Sequence, residues 1–261
     1  MVSLMIITKN PLKHPLRALL IGCLLLPGFH LYAQSPRDTL KVLFVGNSYT
    51  YYQNLPHIVS LISDSTSIKL DTYKSTAGGV NLSQHWNGEK DLKTKEIISN
   101  GNFDIVVLQD HSWGPIKESQ RFREYGELFC DLIKQSGAKP YLYSTWARSQ
   151  VPQHQEKLTA EYSSLALQHG AKIIPVGTAW AQARKLQPML DLYTEDGSHP
   201  NDLGTYLAAC VFVGVICGEY PSKLPLRYYT KDHKGESVEL LRMKELDIEF
   251  LMHVAKSVVQ P

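Results

Sequence analysis

The 261-residue chain is 43% apolar and 20% charged, with 17 Gly and 14 Pro. That is globular composition, and it excludes disordered, collagen-like and coiled-coil chains. Its 27 Lys and Arg nearly balance 25 Asp and Glu, for a net charge of +2. Such a balance argues against a nucleic-acid binder that works by neutralising phosphates.

The N-terminus has a character of its own. Residues 1–34 carry Lys9, Lys13 and Arg17 but no Asp or Glu, so the rest of the chain is close to neutral. An apolar run from Ala18 to Leu26 follows the last cation, then Pro27-Gly28, then the small residue Ala33. Charged start, short apolar middle and small residue are the layout of a signal peptide. The run is too short for the ~20 apolar residues that span a bilayer. Expected are a removed leader over residues 1–34 and an exported (periplasmic or extracellular) domain over residues 35–261, with no membrane span. Leu20-Ile21-Gly22-Cys23 has the form of a lipoprotein box, which makes anchoring at Cys23 the minor alternative. Without the leader, Cys130, Cys210 and Cys217 remain, and an odd count excludes a complete disulfide framework. All three read as small buried hydrophobes.

Beyond the leader, apolar runs alternate with amphipathic segments. Leu40–Val45 is apolar and β-branched, and reads as a buried strand ending in Gly46. Asn54–Ser63 has helical spacing, Ile68–Tyr73 alternates as a strand does, and Glu89–Ser99 reads as a helix. Asp104–Gln109 is the clearest buried strand. Glu118–Gln135 is a long amphipathic helix, stopped by Gly137. Tyr141–Thr145 reads as a strand, Gln155–His169 as a helix stopped by Gly170, and Lys172–Val176 as a fifth strand. Thr178–Lys185 and Asp202–Cys217 read as helices. Glu219–Gly235, rich in Pro, Tyr and Lys, reads as a surface excursion, and Val238–Val258 as a last helix. Alternating strands and helices imply a parallel sheet covered on both faces. The fold class is therefore a three-layer α/β/α sandwich with a five-stranded parallel sheet in flavodoxin-like order, 2-1-3-4-5. Ligands bind such sheets at the carboxyl ends of the strands.

Two segments carry chemistry. Gly46-Asn47-Ser48 follows the first strand and precedes a helix, where backbone N–H groups favour negative charge. Asp196-Gly197-Ser198-His199-Pro200 precedes the helix at Asp202. That spacing can set a carboxylate against imidazole Nδ1, fixing the tautomer and freeing Nε2 to take a proton. Taken together, these segments resemble the SGNH (GDSL-type) hydrolases over about residues 40–217. Gly46-Asn47-Ser48 is similar to that family's Gly-Asp-Ser block, with Asn for Asp, a form found in an exported Gly-Asn-Ser subgroup. Asp196-x-x-His199 is similar to its last block, and Ala77-Gly78-Gly79 resembles the block that supplies a backbone oxyanion donor. The third strand departs from the pattern, ending Leu108-Gln109-Asp110 where the family has Gly-x-Asn-Asp. The resemblance implies a catalytic triad of Ser48, His199 and Asp196. It also implies an oxyanion hole made by the N–H groups of Ser48 and Gly79, with the Gln109 amide in place of the family Asn.

Trp86, Trp113, Trp146 and Arg148 lie near strand ends. The aromatic faces could stack on a sugar, and Arg148 could meet a carboxylate or sulfate. The His and Asp residues lack metal-ligand spacing, and there is no nucleotide-binding glycine motif, so no metal and no cofactor are expected. The expected function is a secreted serine esterase that cleaves O-acyl esters, foremost O-acetyl, on carbohydrate. The partner is then an acylated carbohydrate or another small ester, and no nucleic acid. Two alternatives are a lipase- or thioesterase-like acyl hydrolase, and a carbohydrate-binding protein that has lost turnover.

Overall fold

The computed structural model describes residues 38–221 and 223–259. The leader-like segment and Cys23 lie outside them. In chain order come β1 (Asp38–Gly46), a short helix α1 (Ser48–Tyr51), a kinked turn over Tyr52–Asn54, and α2 (Leu55–Ser63). Next are β2 (Ile68–Thr76), α3 (Leu82–Asn87), α4 (Thr94–Asn100), β3 (Ile105–Leu108), α5 (Gly114–Lys117) and α6 (Ser119–Gln135). Then follow β4 (Lys139–Tyr143), α7 (Gln155–His169), β5 (Lys172–Ile174), α8 (Val176–Leu186) and α9 (Asp202–Cys217). A hairpin of β6 (Arg227–Lys231) and β7 (Ser237–Arg242) leads to α10 (Glu245–Val259).

The five parallel strands stand in the order β2-β1-β3-β4-β5, as the alternation of elements implied. β1 lies between β2 and β3 and is buried from Val42 onward, which suits its unbroken apolar run, since both faces of a parallel sheet are covered. The pleat divides it. Val42 and Phe44 join one core with residues of α2, α8, α9 and α10, while Leu43 and Val45 join the other with residues of α3, α4, α6 and α7. α9 is apolar all round and almost wholly buried, packed against α2, α8 and α10. β1 and β3 pair from Val42–Ile105 to Val45–Leu108, so Gly46 and Gln109 leave the sheet side by side. This register brings the nucleophile segment and the end of β3 together.

Two expectations need correction. The expected helix over Glu89–Ser99 is broken: Gly88 caps α3 in the left-handed region, Lys90 and Asp91 also have positive φ, and α4 begins only at Thr94. The expected helix over Val238–Val258 starts at Glu245, because residues 237–242 form a strand instead. That strand pairs antiparallel with β6, which lies inside the segment taken for a surface excursion. The Asp232 carboxylate builds the turn, accepting from the N–H groups of Lys234 and Glu236, and Gly235 takes φ +81°. Asx-type bonding of this kind favours a turn over a helix.

No disulfide joins Cys130, Cys210 and Cys217. Burial pushes the Cys130 and Cys210 thiols up to about 12, so both stay protonated and inert. Cys217 is only half-buried, and its thiol donates to the Ile68 carbonyl. Among the described residues no helix is long and apolar enough to cross a membrane.

The core makes a direct prediction. Phe212 is fully buried in α9, its ring 5.1 Å from Phe44 and 4.8 Å from Tyr143. Phe212→Ala is expected to cost about 3–5 kcal/mol in urea unfolding. Leu167→Ala on exposed α7 surface should stay within about 0.5 kcal/mol.

Candidate active site

The site begins at a turn with no room for a side chain. A Cβ on Gly46 would sit 2.4 Å from both Gln109 Oε1 and Thr50 Oγ1. After it, Asn47 is held by three bonds. Its backbone N–H donates to Gln109 Oε1 at 2.9 Å, its side-chain amide donates to the Val80 carbonyl at 2.8 Å, and its Oδ1 accepts from Tyr49 N–H at 3.1 Å. Asn47 is thereby the N-cap of α1, and Ser48 stands half-buried as the first helical residue.

The second half of the site comes from the loop before α9. His199 Nε2 lies 2.8 Å from Ser48 Oγ, and His199 Nδ1 lies 2.5 Å from Asp196 Oδ2. The other Asp196 oxygen accepts from Ser198 N–H, His199 N–H and the Thr194 hydroxyl at 2.8–2.9 Å. Burial alone would raise the Asp196 carboxyl, but the bonds from His199, Ser198 and Thr194 outweigh it and hold it well below the usual carboxylate range. The carboxylate therefore stays ionised beside the imidazole. With Nδ1–H donated to Asp196, Nε2 is the nitrogen left to accept the Ser48 proton.

Aromatic rings fix the imidazole. Tyr52 stacks on His199 at 4.7 Å, and Tyr49 meets it edge-on at 5.6 Å. The Tyr49 hydroxyl and Ser198 Oγ are 2.6 Å apart, and Trp146 Nε1 donates to the Ser198 carbonyl at 2.9 Å. Gly197 takes φ +64°, and a Cβ there would strike Ser149 and Gln150 at 2.2 Å. Asn201 then caps α9 by accepting from Gly204 N–H.

The expected oxyanion residues separate. Gly79, at φ +70°, is exposed with nothing near its Cβ position. The chain after it is pinned twice: Val80 by Asn47, as above, and Leu82 N–H by Asp110 Oδ1 at 2.8 Å. Gln109 is wholly buried. Its carbonyl accepts from Asn47 N–H and from the Thr50 hydroxyl at 2.8 Å, and its amide N–H donates to the Asp110 carbonyl. The Gln109 side chain is thus turned into the protein, where it ties the nucleophile turn to β3, rather than out toward a substrate.

The strand-end aromatics also divide. Trp146 is fully buried, stacked between Tyr49 at 4.8 Å and Trp180 at 3.9 Å. It offers no face to a sugar, and its part is to hold the His199 loop. Trp86 packs edge-on against Phe129 and takes Lys95 over its ring, which makes it a half-buried cover of the second core. Trp113 and Arg148 lie together, the guanidinium 5.1 Å from the ring centroid.

Three supporting residues had no sequence expectation: Thr50, Asp110 and His85. Asp110 is buried, and burial pushes its carboxyl up to about 6 against the pull of the Leu82 N–H. His85 Nε2 bonds the Gly46 carbonyl at 3.0 Å, and its Nδ1 bonds Thr94 Oγ1 at 2.7 Å. The carbonyl can only accept, so Nε2 carries the proton and Nδ1 accepts from Thr94. Burial lowers His85 to about 4 although the Gly46 bond opposes it, so it is neutral at pH 7. The available signal was the capping box of Asn81 with Gln84, which starts the helix that carries His85.

No family model matches the sequence, and no curated protein matches it. Solved structures do match. A protein from Slackia heliotrinireducens described as a candidate SGNH hydrolase is 23% identical, with a TM-score of 0.59 over 67% of this chain and 97% of that one. A DUF4886 family protein from Bacteroides uniformis is 19% identical, with a TM-score of 0.64 over 85% of this chain and 95% of that one. An acetyl xylan esterase is 14% identical, with a TM-score of 0.55 over 68% of this chain and all of that one. The chain therefore has the three-layer fold found in solved SGNH hydrolases.

The clamp makes two predictions. Gly46→Ala should cost about 1–3 kcal/mol and impair any activity of Ser48, because the new Cβ displaces Gln109 and Thr50; urea unfolding and turnover measure the two effects. His85 has a folded pKa below its unfolded value near 6.5. Its stabilising contribution is full above that value and is lost as pH falls from 6.5 toward 4. The stability gap between wild type and His85→Gln should therefore widen by roughly 2–3 kcal/mol from pH 4 to pH 7. A gap that does not change with pH would contradict a buried neutral His85.

Proposed function

We propose that this chain is a serine ester hydrolase that removes acyl groups, foremost acetyl, from carbohydrate. The observation that carries the reading is the unbroken hydrogen-bond chain from Ser48 Oγ through His199 to Asp196 at the carboxyl edge of a parallel sheet. No other side chain is needed to make a hydroxyl nucleophilic.

In this reading His199 Nε2 takes the Ser48 proton as Oγ attacks the ester carbonyl. Asp196 holds the tautomer and stabilises the imidazolium that forms. The N–H groups of Ser48 and Gly79 receive the developing oxyanion, a contribution of about 2.7–4 kcal/mol per donor in comparable sites. Gln109 has a supporting part, holding the Ser48 turn in place. His199 then returns the proton to the leaving alcohol. Water attacks the acyl-enzyme with His199 again as base, which frees the acid and restores Ser48.

The carbohydrate and acetyl assignments are supported by the likeness of fold to an acetyl xylan esterase and by the Trp113–Arg148 pair, whose loop bonds the turn that carries His199. The leader-like residues 1–34 support an exported enzyme.

Ser48→Ala should lower hydrolysis of p-nitrophenyl acetate by about 10³-fold or more with an unchanged melting temperature. Wild type should prefer acetyl to octanoyl esters. A Ser48→Ala variant near wild-type rate would end the reading, and a preference for octanoyl would replace acetyl with a lipase-like specificity.

A further inference from the structure

Arg148 is a cation that, among the described residues, has no carboxylate counterion. It lies on the loop between β4 and α7, half-buried. Its Nη2 donates to Ser112 Oγ at 3.0 Å, and its guanidinium lies over Trp113. Its Nε is shielded from solvent and has no hydrogen-bond partner. A partly desolvated guanidinium is normally given a carboxylate by the protein, because its planar fork matches that group and its burial is otherwise costly.

The surroundings do not make up the deficit. Lys117 Nζ lies 4.2 Å from the same Trp113 ring and adds a second cation. Glu118, next to Lys117 in the chain, is taken by Arg121. His111, two residues before Trp113, is lowered first by burial and then by the charges of Arg148 and Arg121.

The cation is also close to the chemistry. Ser149 N–H donates to the Gly197 carbonyl at 2.8 Å, and the Gln150 amide reaches the Asp196 carbonyl at 3.4 Å. The Arg148 loop is thereby fastened to the turn that holds Asp196 and His199. Tyr49, next to Ser48, lies within the field of both Arg148 and Asp196.

We infer that Arg148 determines specificity: with Trp113 it forms a carboxylate subsite beside Ser48, which selects an acylated sugar that bears its own acid group, a uronate, over a neutral acylated sugar. The inference rests on the hydrolase reading above and deepens it. The sugar ring meets Trp113, and the uronate carboxylate supplies the counterion that the protein withholds.

The test compares acetate release from acetylated galacturonate oligosaccharides and from acetylated xylooligosaccharides. Wild type should favour the acidic substrate by about 10–100-fold in kcat/KM, the range of one charge-assisted hydrogen bond. The ratio should shrink as salt is raised, and also when the uronate is methyl-esterified, an arm that needs no variant. In Arg148→Gln the ratio should collapse toward one, and in Arg148→Lys it should fall part of the way. A wild-type ratio near one, or a ratio that survives in Arg148→Gln, overturns the subsite. Hydrolysis of p-nitrophenyl acetate without any acidic preference removes the subsite and leaves the hydrolase. No hydrolysis of any of these esters removes both.

Discussion

The site depends on one buried amide. Gln109 leaves β3 beside Gly46, and its carbonyl accepts both the Asn47 N–H and the Thr50 hydroxyl. The two groups belong to one tight turn, so satisfying them sets where Ser48 points. Space enforces the same arrangement, since a Cβ on residue 46 would overlap the Gln109 oxygen. A buried donor left unpaired here would cost roughly 1–3 kcal/mol, a large share of a protein's net stability. His85 closes the other side by holding the Gly46 carbonyl. Every group at the end of β1 is thus assigned before any substrate arrives.

From that turn the constraint spreads outward. Asn47 reaches across to Val80, and Asp110, next to Gln109, reaches to Leu82. The segment carrying Gly79 is therefore fixed from β1 and β3 together. The His199 loop is fixed from β4 through Trp146 and from the turn after β1 through Tyr49, both of which bond Ser198. Three strands of one sheet thus hold three loops in register. Preorganisation of this kind is what an acyl-transfer site needs, because groups already in place need not reorganise during reaction.

Much of this was legible in the sequence. The sheet order follows from alternating short apolar runs and helical periods. Ser48, Asp196 and His199 stand in short local blocks that resemble those of the SGNH hydrolases, and that resemblance is what marks them. What escaped were the directions of side chains whose partners are far away in sequence. A glutamine at a strand end can face solvent or turn inward, and nothing near Gln109 announces Asn47, 62 positions earlier. Trp146 lies near a strand end, where an aromatic face could stack on a sugar; its burial depends on Trp180, in a helix much later in the chain. The hairpin was missed because residues 237–242 lack clean alternation and run directly into α10. Its turn, Asp232 to Gly235, carried the only local signal.

In the proposed function Ser48 Oγ is the nucleophile, made reactive by His199 and Asp196. The most direct measurement treats the protein with a fluorophosphonate and locates the adduct by peptide mass spectrometry. One stoichiometric adduct is expected, on Ser48, and it is lost in His199→Ala. A protein that takes no label, or takes it on another serine, does not use Ser48 as its nucleophile.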